Sequence, residues 1–310
     1  NIFVHQLEKK GTNTIQNVLI QVPIASKESL TLTVEKEKSP DFKAQTYARY
    51  VPERMDDFAW ENDIVAFRMY GKALEGRADD AQGIDFWAKR TTALIINKWY
   101  KEDDYHKDHG QGLDYYAVGQ TLGAGDLALY FNDNVSSTKH YSKYNILDNG
   151  PLRSTFVLEF EEQDIDANKV SLTKTITLDA GQQFNKIVVS LDNKSHKSTP
   201  VVVGLARRGE ENPKINFDPR TKSLAYWEPS IKDYGHTGTA VVLPQAKLDF
   251  IKGDKKQFLL KTAIVNKKPF TYYNGASWNK DGKITSAEQW NDYVEIFADR
   301  LQNPLHIKLK

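Results

Sequence analysis

Val170-Ser-Leu-Thr-Lys-Thr-Ile-Thr-Leu178 alternates apolar and polar residues almost without a break. A period of two belongs to a strand with one buried face and one wet face. Asp179-Ala-Gly181 then supplies a turn, and Phe184-Asn-Lys-Ile-Val-Val-Ser-Leu191 resumes the apolar pattern. Together they predict a long β-hairpin. The same reading extends upstream to Val18–Val22, Leu30–Val34, Thr46–Val51, Ile64–Tyr70, Ala93–Trp99, Leu127–Phe131 and Arg153–Phe160. Downstream it reaches Val201–Arg207, Ser223–Trp227, Thr239–Leu243, Gln257–Ile264 and Leu305–Leu309. Turn signals separate these runs at fairly even spacing, which predicts an all-β fold, a large antiparallel β-sandwich.

One helix stands out near the end. Trp290, Tyr293, Val294, Phe297 and Leu301 form a single apolar stripe, Thr285 and Glu288 read as its capping box, and Pro304 closes it. Tyr115–Val118 is a weaker, shorter helical signal. Gly71–Gly83, mixed from glycine, alanine and charged residues, reads as a loop too short for a domain linker. With no repeat and no low-complexity stretch, residues 1–310 are expected to form one catalytic domain.

Composition narrows the function classes. Lys plus Arg number 42 against 41 Asp plus Glu, a net charge of +1, so the basic surplus of a nucleic-acid binder is missing. There is no cysteine, which excludes disulfide frameworks, thiolate metal sites and cysteine nucleophiles together. The apolar runs are short, typified by Ile64–Phe67 and Ala93–Ile96, so no membrane span is expected. The chain starts at Asn1 rather than Met, as a mature chain with its signal peptide removed would.

The glycines of Gly119-Gln-Thr-Leu-Gly-Ala-Gly125 do not space as a dinucleotide fingerprint, and no phosphate-loop lysine follows them. Ser277-Trp-Asn-Lys-Asp-Gly-Lys-Ile-Thr-Ser-Ala-Glu288 half-matches a calcium loop. Ser277 is a poor first ligand and no helix precedes it, so an Asp-Gly turn before a helix cap is the favoured reading. The densest chemistry is Tyr105-His-Lys-Asp-His109-Gly-Gln-Gly-Leu-Asp-Tyr115-Tyr116. Histidine works as a base near neutral pH and tyrosine as an acid toward a leaving oxygen. A polar solvated loop, or a histidine pair awaiting a third metal ligand, would use the same residues. A second cluster interleaves arginines, aromatics and carboxylates: Tyr47-Ala-Arg-Tyr-Val-Pro-Glu-Arg54-Met-Asp-Asp57-Phe-Ala-Trp60-Glu-Asn-Asp63. Arg68, Asp85, Trp87 and Arg90 continue the mixture, and Tyr226-Trp227-Glu228 with Tyr234-Gly-His236 add to it. An ion-paired sheet surface is the plain alternative.

The Tyr47–Asp63 block, Gly83-Ile-Asp-Phe-Trp-Ala-Lys-Arg90, the Tyr105–Tyr115 block, Asn274-Gly-Ala-Ser-Trp-Asn-Lys280 and the terminal helix together resemble a bacterial family of unknown function that includes an ulvan oligosaccharide dehydratase. The resemblance covers nearly the whole chain. It implies a periplasmic carbohydrate-active enzyme on a supersandwich akin to those of mutarotases and polysaccharide lyases.

The expected reaction removes water from a saturated uronic acid at the non-reducing end of an acidic, ulvan-type oligosaccharide, leaving a 4,5-unsaturated uronyl end. Such an elimination needs a cationic clamp, a base for C5 and an acid for the C4 hydroxyl. Arg54 and Arg90 are expected as the clamp, with Arg68 in reserve. His109 is expected as the base, oriented by Asp108 or Asp114, with His106 and His236 next in line. Tyr115 or His236 is expected as the acid, and Trp60, Trp87 and Trp227 as platforms for the sugar. No redox cofactor and no metal are called for. A polysaccharide lyase, a sugar mutarotase and a non-catalytic carbohydrate-binding protein are the alternatives.

Overall fold

The computed structural model describes residues 2–25, 27–35, 37–251 and 254–305. Strands β1 (His5–Glu8) and β2 (Asn17–Ile20) form a hairpin apart from the rest. A small sheet follows in chain order: β3 (Thr46–Val51), β4 (Asp57–Asn62), β5 (Ala66–Met69), β6 (Ile84–Lys89) and β7 (Gly112–Leu113). Helix α1 (Ile96–Glu102) lies between its last two strands. A second sheet combines β8 (Ala124–Phe131), β9 (Asn134–Ser136), β14 (Ser198–Ala206), β18 (Asp249–Ile251) and β19 (Gln257–Val265). The largest sheet holds β10 (Lys143–Asn149), β11 (Arg153–Ile165), β12 (Asn168–Asp179), β13 (Phe184–Asn193), β15 (Lys214–Asp218), β16 (Ser223–Trp227), β17 (Thr237–Val242) and β20 (Phe270–Trp278). Its order is β10-β11-β12-β13-β20-β17-β16-β15, and every pairing between strands of the fold is antiparallel. Helix α2 (Ala287–Gln302) ends the described chain.

These elements form a large antiparallel sandwich. The eight-stranded sheet is one layer, and the two smaller sheets lie side by side opposite it. One core cluster runs between them, taking Phe58, Trp60 and Phe86 from the small sheet, Leu129, Val201 and Val203 from the second, and Phe156, Ile176, Ile187 and Tyr272 from the large one. Helices cover part of the outer faces. Trp290, Val294 and Ala298 of α2 pack on Ala225, Trp227, Ala240 and Val242 of the large sheet. Ile96, Trp99 and Tyr100 of α1 pack on Ala59, Ala66 and Trp87 of the small one.

The expected hairpin is β12–β13, in which Leu178 faces Asn185 and Val170 faces Asn193. Its burial alternates as the sequence does. Four expectations change. Ala93–Trp99 is not a strand: α1 starts at Ile96 because the buried Glu61 carboxylate accepts the amides of Ile95 and Ile96 at 2.8 Å, and so caps its first turn. Tyr115–Val118 forms no helix: Tyr115 OH meets Thr237 of the large sheet, and the Tyr116 ring lies under the Arg208 guanidinium. Leu30–Val34 lies exposed and pairs with no strand among the described residues. The α2 cap sits one residue later than expected: Ser286 Oγ accepts from Gln289 N, and Gln289 Oε1 accepts from Thr285 N at 2.7 Å. Leu305 lies outside any strand, and the rest of the Leu305–Leu309 strand falls on residues outside those described. No described helix is long and apolar enough to cross a membrane.

Candidate active site

The small sheet is apolar on its inner face and carries charge on its outer one. Parity alone produces this, since residues i and i+2 share a face. Asp57, Ala59 and Glu61 of β4, Ala66 and Arg68 of β5, and Asp85, Trp87 and Lys89 of β6 all face outward. Two buried charge clusters result. Lys89 Nζ donates to Glu61 at 2.7 Å and to the Asn62 carbonyl at 2.6 Å, and this pair anchors α1.

The other cluster centres on Arg68, which is 5% exposed. It stands directly across the ladder from Asp85, whose carboxylate lies 2.6 Å away. Asp114, just past β7, lies at 3.3 Å, and Asp57, at the start of β4, at 3.7 Å. The guanidinium sits 4.8 Å from the Tyr70 ring and 5.4 Å from the Trp87 ring. Tyr70 OH lies 3.4 Å from Arg68 Nη2, and Tyr105 stacks on Trp87 at 5.0 Å.

One guanidinium cannot neutralise three buried carboxylates. Burial pushes the Asp57 carboxyl up to about 7, against the pull of Arg68 and then Arg54. Burial also raises Asp85, and it raises Asp114 well above the carboxylate range with Asp85 adding to the effect. Burial by itself would lower Arg68, but Asp85 and Asp114 outweigh it and keep that charge fixed. The cluster therefore holds at least one proton at neutral pH. Asp57 Oδ1 and Arg68 Nε have no hydrogen-bond partner among the described residues.

The rim of this cluster is formed by Arg54, Tyr70 and His106. His106 Nδ1 lies 2.9 Å from the Asp114 carbonyl oxygen. A carbonyl only accepts, so Nδ1 carries the proton and Nε2 keeps a free lone pair. The His106 side chain is 61% exposed, while its Nδ1 lies 3.7 Å from the buried Asp114 carboxylate. Arg54 ends a short turn between β3 and β4, and its charge is felt at Asp57, Asp114 and Tyr105. The turn is strained: Met55 and Asp56 are left-handed at φ 51° and 62°. Tyr50 and Tyr141 hold it through hydrogen bonds to the Asp56 side chain and carbonyl. Gly71 packs so closely that a Cβ there would lie 1.9 Å from the Asp56 oxygen.

The residues singled out from sequence fall in different places. Arg68 sits at the centre of the cluster, though as a buried counter-charge rather than an open clamp. Arg54 is on its rim. Arg90 is not: it follows the far end of β6, donates to Asp108 and to the Gly110 carbonyl, and lies 5.2 Å from the Trp278 ring. By ladder register Arg54 and Arg90 are at opposite ends of the small sheet, so the expected pair does not form one clamp. His109 Nε2 lies 3.1 Å from Asp104 in a recess with Lys98, Trp99 and Glu102, and no described contact joins it to the Arg68 cluster. Tyr115 OH is 2.6 Å from Thr237 Oγ1, on the core face of the large sheet. His236 lies on that sheet's other face, stacked on Trp227 at 5.8 Å, with Nδ1 2.8 Å from the Glu228 carbonyl oxygen. Tyr115 and His236 therefore cannot serve one substrate from one side.

The three tryptophans are corrections as well. Trp60 is 0% exposed and donates to Asn185 inside the core. Trp87 is buried under Arg68 and α1, and Trp227 is buried under α2. None presents a face to a sugar.

The sequence reading left Asp57 and Asp85 without a role and kept His106 in second place. Outward parity with Arg68 was the available signal for the first two. For His106 no sequence signal existed, because its tautomer is set by a backbone carbonyl eight residues on. A further buried pair was missed: Arg208 grips Glu228 at 2.7 and 3.0 Å and lies on the Tyr116 ring at 4.4 Å, while burial raises the Glu228 carboxyl to about 7.

Among known proteins, the chain is 29% identical over 305 residues to "Uncharacterized protein P7" of Formosa agariphila, covering 93% of this chain and 76% of that one. Solved structures superpose loosely. The galactosidase domain of the α-galactosidase-sucrose kinase AgaSK gives a TM-score of 0.40 at 10% identity, over 74% of this chain and 42% of that one. The α-galactosidase AgaB of Geobacillus stearothermophilus gives 0.38 at 10% identity, over 77% and 42%. Heparinase III gives 0.34 at 7% identity, over 78% and 37%. The chain spans about two-fifths of the length of these solved proteins. A model of one family, "Domain of unknown function (DUF4861)", matches residues 3–307, and the chain belongs to that family.

Proposed function

We propose that the chain is a carbohydrate-active dehydratase that eliminates water from the saturated uronic acid at the non-reducing end of an acidic, ulvan-type oligosaccharide. The observation that carries this reading is His106: an exposed histidine whose Nδ1 is held by the Asp114 carbonyl, leaving Nε2 without a hydrogen-bond partner among the described residues, at the edge of a buried carboxylate cluster on which the Arg54 charge also acts.

The hydrogen on C5 of a uronate is α to a carboxylate and is removed only if the developing charge is neutralised. Arg54 on the rim is the cation for that carboxylate, with the partly protonated carboxylate cluster beneath it. His106 Nε2 takes the C5 proton, the C5 electrons form the C4–C5 double bond, and the C4–O bond breaks. Tyr70 OH, kept protonated by burial and neighbouring Asp85, supplies the proton that turns the departing hydroxide into water. The tyrosinate so formed lies beside Arg68. Proton return from His106 to Tyr70 through solvent closes the cycle.

The test is incubation with saturated uronate-ended oligosaccharides, following the ultraviolet absorbance of the conjugated double bond together with product mass. Loss of one water per chain supports dehydration. Shorter chains with unsaturated ends would instead make the enzyme a polysaccharide lyase. Binding without either change would make it a carbohydrate-binding protein.

A further inference from the structure

Arg90 was expected to hold substrate, and its surroundings give it other work. Its amide donates to the Gln111 carbonyl at 3.0 Å and its Nε to the Gly110 carbonyl at 3.2 Å. One terminal nitrogen meets Asp108, and Cζ lies over the ring of Trp278, the last residue of β20, 5.2 Å from its centroid. Asp108 in turn accepts from the amides of Gly110 at 2.8 Å and Gly112 at 3.2 Å. The segment from His106 to Gly112 is therefore folded around one carboxylate and one guanidinium, and the guanidinium rests on the large sheet. Gly110 and Gly112 take φ of 95° and 115°, so this curvature needs a partner to hold it. Asp108 is two residues from His106, at most about 7 Å of chain.

We propose that Arg90 is a positioning residue: held between Asp108 and Trp278, it sets the curve of the 106–112 loop and so holds His106 against the Asp114 carbonyl. The inference rests on the reading of His106 as the base. Arginine suits the task because its planar fork can bridge a carboxylate and a carbonyl while lying over an indole. An ammonium cannot do all three.

Arg90→Ala and Asp108→Asn are compared with wild type, with Lys98→Ala as a control, its ammonium on α1 donating to the Gln111 side chain of the same loop at 2.9 Å. Misplacing a catalytic group by about 1 Å costs up to ~100-fold in rate. Both variants are therefore expected to lose ~10–100-fold in kcat with KM within about twofold, and Arg90→Lys to recover only part. Lys98→Ala should match wild type. Ring nitrogen NMR of His106 provides a readout without turnover. The Nδ1–H tautomer should dominate in wild type and Lys98→Ala, and give way to Nε2–H in Arg90→Ala and Asp108→Asn. A rise in KM at constant kcat would overturn the proposal and make Arg90 a substrate contact. An unchanged tautomer in both variants would overturn it whatever the kinetics. If wild type itself forms no unsaturated product, the functional reading fails, and the NMR arm still decides whether Arg90 holds the loop.

Discussion

Asp57→Asn should flatten the pH dependence of stability. In the folded protein the Asp57 carboxyl is raised by burial to about 7, against an ordinary value of 3.8. Between those values the folded state binds a proton that the unfolded state does not, so stability falls as pH rises through that window. Each pH unit is worth about 1.36 kcal/mol, which puts the loss from Asp57 near 4 kcal/mol as an upper bound. Asp85 and Asp114 share the cluster, and a proton on one relieves the others, so the difference should lie at ~2–4 kcal/mol. Asparagine matches the shape, can still accept from Tyr100 OH as Asp57 does at 3.5 Å, and does not titrate. Carboxylates elsewhere that are lowered by their partners contribute equally to both proteins and cancel. The assay is urea unfolding at pH 4.5 and pH 8, comparing midpoints at equal slope. Wild type should lose markedly more stability than Asp57→Asn over that interval. Parallel pH dependence in the two proteins would refute the proton-holding cluster, and a steeper variant would reverse its sign.

Three further outcomes are expected. His106→Ala should unfold near the wild-type temperature yet form unsaturated product at least ~100-fold more slowly, whereas His109→Ala should stay within about twofold of wild type because it only meets exposed Asp104; progress curves at equal enzyme concentration separate the two. Gly71→Ala should be destabilised beyond ~3 kcal/mol in chemical denaturation, since the added carbon would sit inside the Asp56 carbonyl and the strained turn cannot yield. Glu61→Ala strips the α1 cap and leaves Lys89 buried without its anion, a change worth about 3–5 kcal/mol; restored stability in the double variant with Lys89→Met would show that the stranded charge dominates.

Period-two reading located strands whose two faces differ in wetness. β12 and β13 are of this kind and were legible to within a residue or two. β4 and β6 were not, because both their faces are buried and their outward positions carry Asp57, Glu61, Asp85 and Lys89. A strand with charge on a buried face looks like a polar loop in sequence. α1 was misread for the opposite reason: Ala93-Leu-Ile-Ile96 is an apolar run, and the cap that makes it start a helix comes from Glu61, 34 residues upstream of Ile95. The site was legible as composition and not as arrangement. The arginine-aromatic-carboxylate mixture does mark the outer face of the small sheet. Which histidine faces it depended on a backbone carbonyl, and which tryptophans are open depended on helices packed over them.

The position of β20 sets a clock on biosynthesis. It is inserted between β13 and β17, so the centre of the large sheet has no direct pairing between the strands made earlier. Until residue 278 has been synthesised, the β10–β13 meander ends in an open edge of Val188 and Val189 backbone. At about 5–20 residues per second, the 85 residues between Asn193 and Trp278 leave that edge unpaired for roughly 4–17 s. A chain with this topology folds late and through contacts distant in sequence. An open strand edge during that interval is the step at which a chaperone would act, and at which overproduction at high temperature would favour aggregates over enzyme.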